Sequence, residues 1–181
     1  PCACVFCNQK KITGMDTPVT PEQVVREIER ALPWAGKGCQ LAFYGGSFTA
    51  MKPEIQEHLL QAANPYLRDG RICGIRLSTR PDAVDEETVA RLIAYGVTTV
   101  ELGCQSMENR VLELSGRGHS REDTIRASGI LHRSGLKQIL QMMTGLPGDD
   151  GAASVATARQ LIALRPQGVR IYPTVVLRNT E

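Results

Sequence analysis

The sequence has no strong excess of charge of either sign: 21 basic and 19 acidic residues leave a formal net charge of +2. Charge alone therefore gives no reason to assign a nucleic acid or an acidic membrane as partner. No apolar run is long enough to span a bilayer, so no membrane association is expected. No signal peptide is visible at a start, Pro1-Cys2, that has no initiator Met. Low-complexity stretches, interdomain linkers and long internal repeats are also missing. What is present argues against disorder: hydrophobic residues make up 42% of 181, enough for one domain with a sizeable core.

The 6 cysteines are unevenly placed. Cys2, Cys4 and Cys7 crowd the N-terminus, whereas Cys39, Cys73 and Cys104 stand far apart. A small secreted domain spreads its cysteines to staple loops. Crowding within one short loop points to a metal instead, and the scattered thiols read as small packed hydrophobes. A cytoplasmic location is the corresponding expectation.

Strand and helix patterns alternate along nearly the whole chain. Thr20-Pro21-Glu22-Gln23 is a helix start, with Thr20 as N-cap, Pro21 in the first turn and Gln23 set for a capping box. Val24, Val25, Ile28 and Leu32 follow as an apolar face. Pro53 opens a second helix with Ile55, Leu59 and Leu60 inward. Asp85 caps a third that carries Val89, Leu92 and Ile93, with Gly96 at its C-cap. Residues 111–114 form a short helix, and Ser120 caps another with Ile125, Ile130 and Leu131 inward. A last helix holds Val155, Leu161 and Ile162. Strands are expected at 40–44, 71–77, 97–102, 137–143 and 169–176.

Short apolar strands separated by helices imply parallel β/α units. With one more strand expected before Pro1, the pattern predicts an α/β fold, a partial (β/α)6 TIM-like barrel. Its first strand and its C-terminal end are then expected outside the sequence, and 1–181 is one core domain of a longer chain. A doubly wound sheet is the competing arrangement. In both, the working face is the carboxyl end of the strands.

Chemistry-bearing segments gather at those ends. The first loop reads Pro1-Cys2-Ala3-Cys4-Val5-Phe6-Cys7, with an aromatic residue before the last cysteine. Phe43-Tyr44-Gly45-Gly46-Ser47, Ser78-Thr79-Arg80-Pro81-Asp82 and Gly103-Cys104-Gln105-Ser106 follow at successive strand ends. Ser115-Gly116-Arg117-Gly118-His119 and Gln141-Met142-Met143-Thr144-Gly145-Leu146-Pro147-Gly148 complete the series. In this order the segments resemble those of radical S-adenosylmethionine (SAM) enzymes. The wording is similar to that of bacterial radical SAM proteins akin to the Elongator catalytic subunit.

The resemblance implies a [4Fe–4S] cluster held by thiolates, Cys4 and Cys7 among them, with a cysteine immediately before Pro1 as the third. Its open iron would take SAM, and reductive cleavage would give a 5′-deoxyadenosyl radical that abstracts hydrogen from substrate. Phe6, Gly45, Gly46, Ser78, Thr79, Arg80, Gln105, Arg117 and Gln141 would line the SAM site. The Gly45-Gly46 backbone would meet the SAM amino group, and Arg117 the carboxylate, whose geometry a guanidinium fork matches. Ser47 stands where many members have Glu or Thr, and Ser78 where a related branch has Glu, so Thr79 and Arg80 share the expected ribose contact. His119 is expected to orient its loop. Arg170 and Tyr172, of equal parity on the last strand, either face the substrate or pack.

Other readings of the loop stay open: Cys2, Cys4 and Cys7 as a cluster set at altered spacing, a zinc site, or inert cysteines in a floppy terminus. With two or three thiolates available, an apo fold with 1–15 disordered is the separate expectation for this sequence. Zinc would need further ligands, and His119 and His132 have no ligand spacing. A phosphate-binding enzyme is disfavoured, because neither Gly45-Gly46 nor 145–148 matches a P-loop or G-x-G-x-x-G. The family also implies a reducing partner such as a ferredoxin or flavodoxin and, through the Elongator likeness, tRNA modification. A non-catalytic cluster- or SAM-binding module serving a partner protein is the alternative function.

Overall fold

The computed structural model describes residues 4–5 and 18–175. Five parallel strands form one sheet in strict chain order: β1 (Leu41–Phe43), β2 (Ile75–Thr79), β3 (Val97–Gln105), β4 (Lys137–Thr144) and β5 (Gly168–Pro173). The order never reverses, so the sheet is a half-barrel and not doubly wound. Connections between parallel neighbours are right-handed, which sets successive helices on one face. Those helices are α1 (Pro21–Ala31), α2 (Pro53–Arg68), α3 (Glu86–Ala94), α4 (Asn109–Leu114), α5 (Arg121–Ser134) and α6 (Gly151–Ala163).

Strand alternation divides the two faces. Ile75 and Leu77 on β2, Leu102 on β3 and Leu140 on β4 are fully buried beneath the helices, with Leu60, Leu92, Leu131 and Leu161 packed into the same core. The intervening positions, Arg76, Ser78, Glu101, Gln141 and Arg170, share the opposite, concave face. That face is polar where the helical face is oily.

The helix starts lie where local chemistry puts them. Thr20 and Ser120 each close a capping box, and Asp85 accepts from the Thr88 amide at 2.7 Å. Gly96 and Gly135 take the left-handed conformation beyond α3 and α5. Several apolar residues expected inward instead face out: Val25, Ile55, Ile93, Ile125, Val155 and Ile162 are exposed. On α2 the inward place next to Ile55 belongs to Gln56, whose amide donates to the carbonyls of Thr49 (3.1 Å) and Met51 (2.7 Å). These two bonds satisfy the Gln56 amide nitrogen, while its buried Oε1 has no partner among the described residues.

β2 begins at Ile75, later than expected. Cys73 does pair, its amide donating to the Cys39 carbonyl at 2.8 Å, but the continuous ladder starts two residues on. β3 runs longer than expected, to Gln105, because a register shift between Gly103 and Gln105 carries it past a bulge.

Candidate active site

The carboxyl ends of β1 to β4 bring the motif residues to one rim. Gly45, directly after β1, has φ +104°, a conformation open to glycine and costly for other residues. Ser78, near the end of β2, donates from its hydroxyl to the Gly46 carbonyl at 3.3 Å and so ties the two loops together. Thr79 points the other way: it is buried, and its hydroxyl lies 2.5 Å from that of Thr49. Its side chain therefore serves the core, leaving its backbone at the rim. Arg80 clasps Asp82 through two hydrogen bonds, at 3.0 and 2.6 Å.

The end of β3 is the most specialised part. Gln105 has φ +67°, rare for a residue with a Cβ, and the Ser106 amide donates across it to the Cys104 carbonyl at 2.8 Å. Such strain persists where surrounding structure over-determines it, typically at a site. The turn swings the buried Gln105 amide toward β4, where Gln141 donates to it at 3.4 Å.

Arg117 reaches the same place from the loop after α4. One guanidinium nitrogen donates to the Gly103 carbonyl at 2.7 Å and the other to the Cys4 thiol at 3.5 Å. This approach requires Gly103: a Cβ there would lie 2.8 Å from the Arg117 Nη2 and 3.0 Å from the Gln105 amide nitrogen. Cys4 is buried, and the neighbouring Val5 amide donates to the Ser115 carbonyl at 3.2 Å. Cys4 and Val5 are thus docked, whereas the rest of the stretch 1–15 that was expected to be disordered lies outside the described residues. Phe6, Cys7 and Cys2 lie outside the described residues.

His119 sits behind this rim. It is buried, its Nε2 lies 3.1 Å from the Cys104 carbonyl, and Nδ1 has no partner. Because a carbonyl only accepts, Nε2 carries the proton. Burial, reinforced by the Arg117 charge, lowers its pKa to about 4, so the ring is neutral near pH 7. A neutral, loop-anchoring ring fits the expected orienting role. Burial likewise pushes the Cys104 thiol up to about 12 and keeps it inert.

Below the rim, the concave floor carries a cluster that the motifs did not single out as a unit. Glu101, 1% exposed at its side chain, accepts from Arg76 at 2.7 Å and from Arg170 at 2.6 Å. The Tyr44 hydroxyl donates to the same carboxylate, and Arg170 also bonds the Tyr172 hydroxyl. A carboxylate inside the otherwise apolar run Val100-Glu101-Leu102 was the available sequence signal. Its partners come from three other strand segments, which spacing could not reveal. A cavity of about 430 Å³ lies elsewhere: it opens at the amino ends of the strands beside Gln40, Cys73 and Lys137, away from every motif. The chemistry lies with the convergent polar groups, not with that volume.

A family model described as the radical SAM superfamily matches residues 2–161. A tRNA uridine(34) acetyltransferase of Methanocaldococcus jannaschii is 37% identical over 162 residues, covering 78% of this chain and 30% of that protein. Elongator complex protein 3 of Mus musculus is 27% identical over 156 residues, covering 75% of this chain and 28% of that protein. Among solved structures, Methanocaldococcus infernus Elp3 with an N-terminal deletion superposes with a TM-score of 0.75 at 29% identity, over 96% of this chain and 45% of that one. Coproporphyrinogen III oxidase of Escherichia coli, at 19% identity and a TM-score of 0.71, shares the fold. The chain thus spans less than a third of the length of these two curated relatives.

Proposed function

This chain belongs to the radical SAM superfamily, and from that premise we propose that it is the catalytic core of a radical SAM enzyme acting on tRNA. The observation that carries the reading is the convergence of Arg117 on Cys4, with Gln105 and Gln141 alongside.

The residues at the rim fit the two groups the family uses. Cys4 offers a thiolate, the ligand iron–sulfur clusters take, at a buried position against the core loop. Cys7, and a cysteine preceding Pro1, complete the proposed ligand set. When bound, the reduced cluster and SAM supply a 5′-deoxyadenosyl radical for hydrogen abstraction.

The chain's own residues prepare that chemistry by positioning. The Arg117 fork is aimed between Cys4 and the Gly103 carbonyl, with its Nε buried and unpartnered. That places a fixed positive charge beside the thiol, suited to the carboxylate of SAM's methionine part. Gly45 and Gly46 let backbone approach the amino group closely, and Ser78 braces their loop through the Gly46 carbonyl. Gln105 and Gln141 supply amide dipoles toward the same space, and the strained backbone at Gln105 holds one in place. Phe6, Arg80 and the backbone of Thr79 complete the proposed SAM lining. The buried neutral His119 steadies the Cys104–Gln105 turn and moves no proton.

The substrate assignment rests on two relatives, one named as a tRNA uridine(34) acetyltransferase and one as Elongator complex protein 3. Among the described residues no helix is long and apolar enough to cross a membrane. A reduced iron–sulfur site and free thiols fit a reducing, cytoplasmic setting with a ferredoxin or flavodoxin as electron donor. The test is the full-length protein, reconstituted anaerobically with iron and sulfide, reduced and given SAM with and without tRNA. Formation of 5′-deoxyadenosine that rises with tRNA supports both parts. Formation that tRNA leaves unchanged removes the substrate assignment, and none in either case removes the enzyme reading.

A further inference from the structure

We infer that the concave floor is a seat for a nucleotide of the substrate, with Arg170 receiving a phosphate oxygen and Tyr172 and Tyr44 offering ring faces to the base. The inference rests on the radical SAM reading above, because it takes the concave side as the substrate side.

Glu101 is the centre of the floor cluster. Both its oxygens are filled from within the protein: one by Tyr44 and Arg76, the other by Arg170. A carboxylate so saturated cannot act as a base without dismantling its partners. Its use is to fix two guanidinium groups on the inner surface. One arginine would have been enough to balance a buried carboxylate. Two leave a positive charge in surplus, and no other acid stands among the concave-facing residues of the described strands. Glu101 is sealed, whereas Arg76 and Arg170 keep 29% and 41% of their side chains open to the concave space. The surplus therefore faces the substrate side, and Arg76 also keeps a buried Nε without a partner.

The surroundings make this more than a bare cation. The chain holds only 4 tyrosines, and two of them flank Arg170. Its guanidinium carbon lies 5.0 Å from the Tyr172 ring centre and 5.8 Å from that of Tyr44. Hydrogen bonds to both neighbours of the guanidinium orient it, so little freedom is lost when an anion arrives. A fixed guanidinium fork between tyrosine faces suits a phosphate attached to a planar ring. The position is also apt: Tyr44 directly precedes Gly45-Gly46, so the cluster abuts the loop assigned to SAM.

The test is calorimetric titration of the reconstituted full-length protein with uridine 5′-monophosphate, uridine and inorganic phosphate. A charged hydrogen bond to phosphate is worth at least roughly tenfold in affinity, and the ring contacts add a similar factor. The monophosphate is expected to bind at least about tenfold tighter than either fragment. Arg170→Gln should bring it to the level of uridine, while Arg133→Gln, an exposed change on the outer helix α5, leaves it unaltered. Equal binding of monophosphate and uridine overturns the inference, as does equal binding by the two variants. Phosphate binding as tightly as the monophosphate overturns the ring contact. The three ligand arms need only the wild-type protein, so a poorly folding Arg170→Gln does not protect the idea. Failure of 5′-deoxyadenosine formation is read separately and strikes the enzyme reading, not this one.

Discussion

Arg117 bonds the Cys4 thiol and the Gly103 carbonyl with two nitrogens of one guanidinium, at 3.5 and 2.7 Å. One side chain thus connects the N-terminal cysteine loop to the end of the central strand. The contact spans 113 residues of sequence and orders Cys4 against the half-barrel.

Gly103 makes that contact possible, and its substitution separates stability from binding. In Gly103→Ala the new methyl crowds the ends of the Arg117 and Gln105 side chains, while the Thr79 carbonyl at 3.6 Å is in ordinary contact. These flexible ends can shift, so the fold should lose no more than about 1 kcal/mol, the low end for an added methyl. SAM affinity should nevertheless fall by roughly tenfold or more as both polar groups are displaced. A thermal melt beside a SAM titration checks this. Loss of both together, or of neither, would count against the assigned rim.

Arg117→Lys keeps the charge and loses the fork. A lysine ammonium is a single point donor that cannot hold Cys4 and the Gly103 carbonyl in the same geometry. SAM binding should weaken by roughly tenfold or more despite the conserved charge. Titration of the variant against wild type decides whether geometry or charge matters at this position.

Glu101→Gln probes the floor. The change removes the negative charge from between Arg76 and Arg170 and leaves two cations facing one another. A destabilisation of about 3 kcal/mol is expected, the low end for a broken buried pair because both arginines retain solvent. Denaturant unfolding measures it. A change under about 0.5 kcal/mol would mean that the cluster is not a cross-brace between strands.

His119 gives a pH signature. Its pKa is lowered from 6.5 to about 4 in the fold, so below 6.5 the unfolded chain binds a proton that the native state refuses. Stability should therefore rise with pH from about 4 to 6.5 and level off above, with up to roughly 3 kcal/mol from this residue. His119→Gln, whose amide can still donate to the Cys104 carbonyl, should flatten that part of the profile. The carboxylates are common to both proteins and cancel in the difference.

Much of the architecture was legible because its signals are local. Thr20, Asp85 and Ser120 act within one helical turn, and strand–helix alternation implies parallel units whatever their neighbours. Which flank of a helix faces in is not local. Ile55, Ile125 and Ile162 have the spacing of core residues yet lie outside, because Gln56, Thr124 and Leu161 take the inward places. The rim motifs were readable as a series, and the structure assembles Gln105, Arg117 and Gln141 as one group. The twist at Gln105 was not readable, since only backbone geometry shows a positive φ at a glutamine. Glu101 escaped notice for a related reason: its meaning depends on Tyr44, Arg76 and Arg170, which the sheet alone brings together.

The most direct test is anaerobic reconstitution of the full-length protein and its Cys4→Ala variant, with 5′-deoxyadenosine measured by chromatography after reduction and addition of SAM. The account predicts a cluster absorbance and 5′-deoxyadenosine from the wild type, and loss of both in Cys4→Ala. Undiminished 5′-deoxyadenosine from the variant, or none from a wild type that has assembled its cluster and been given tRNA, would contradict it.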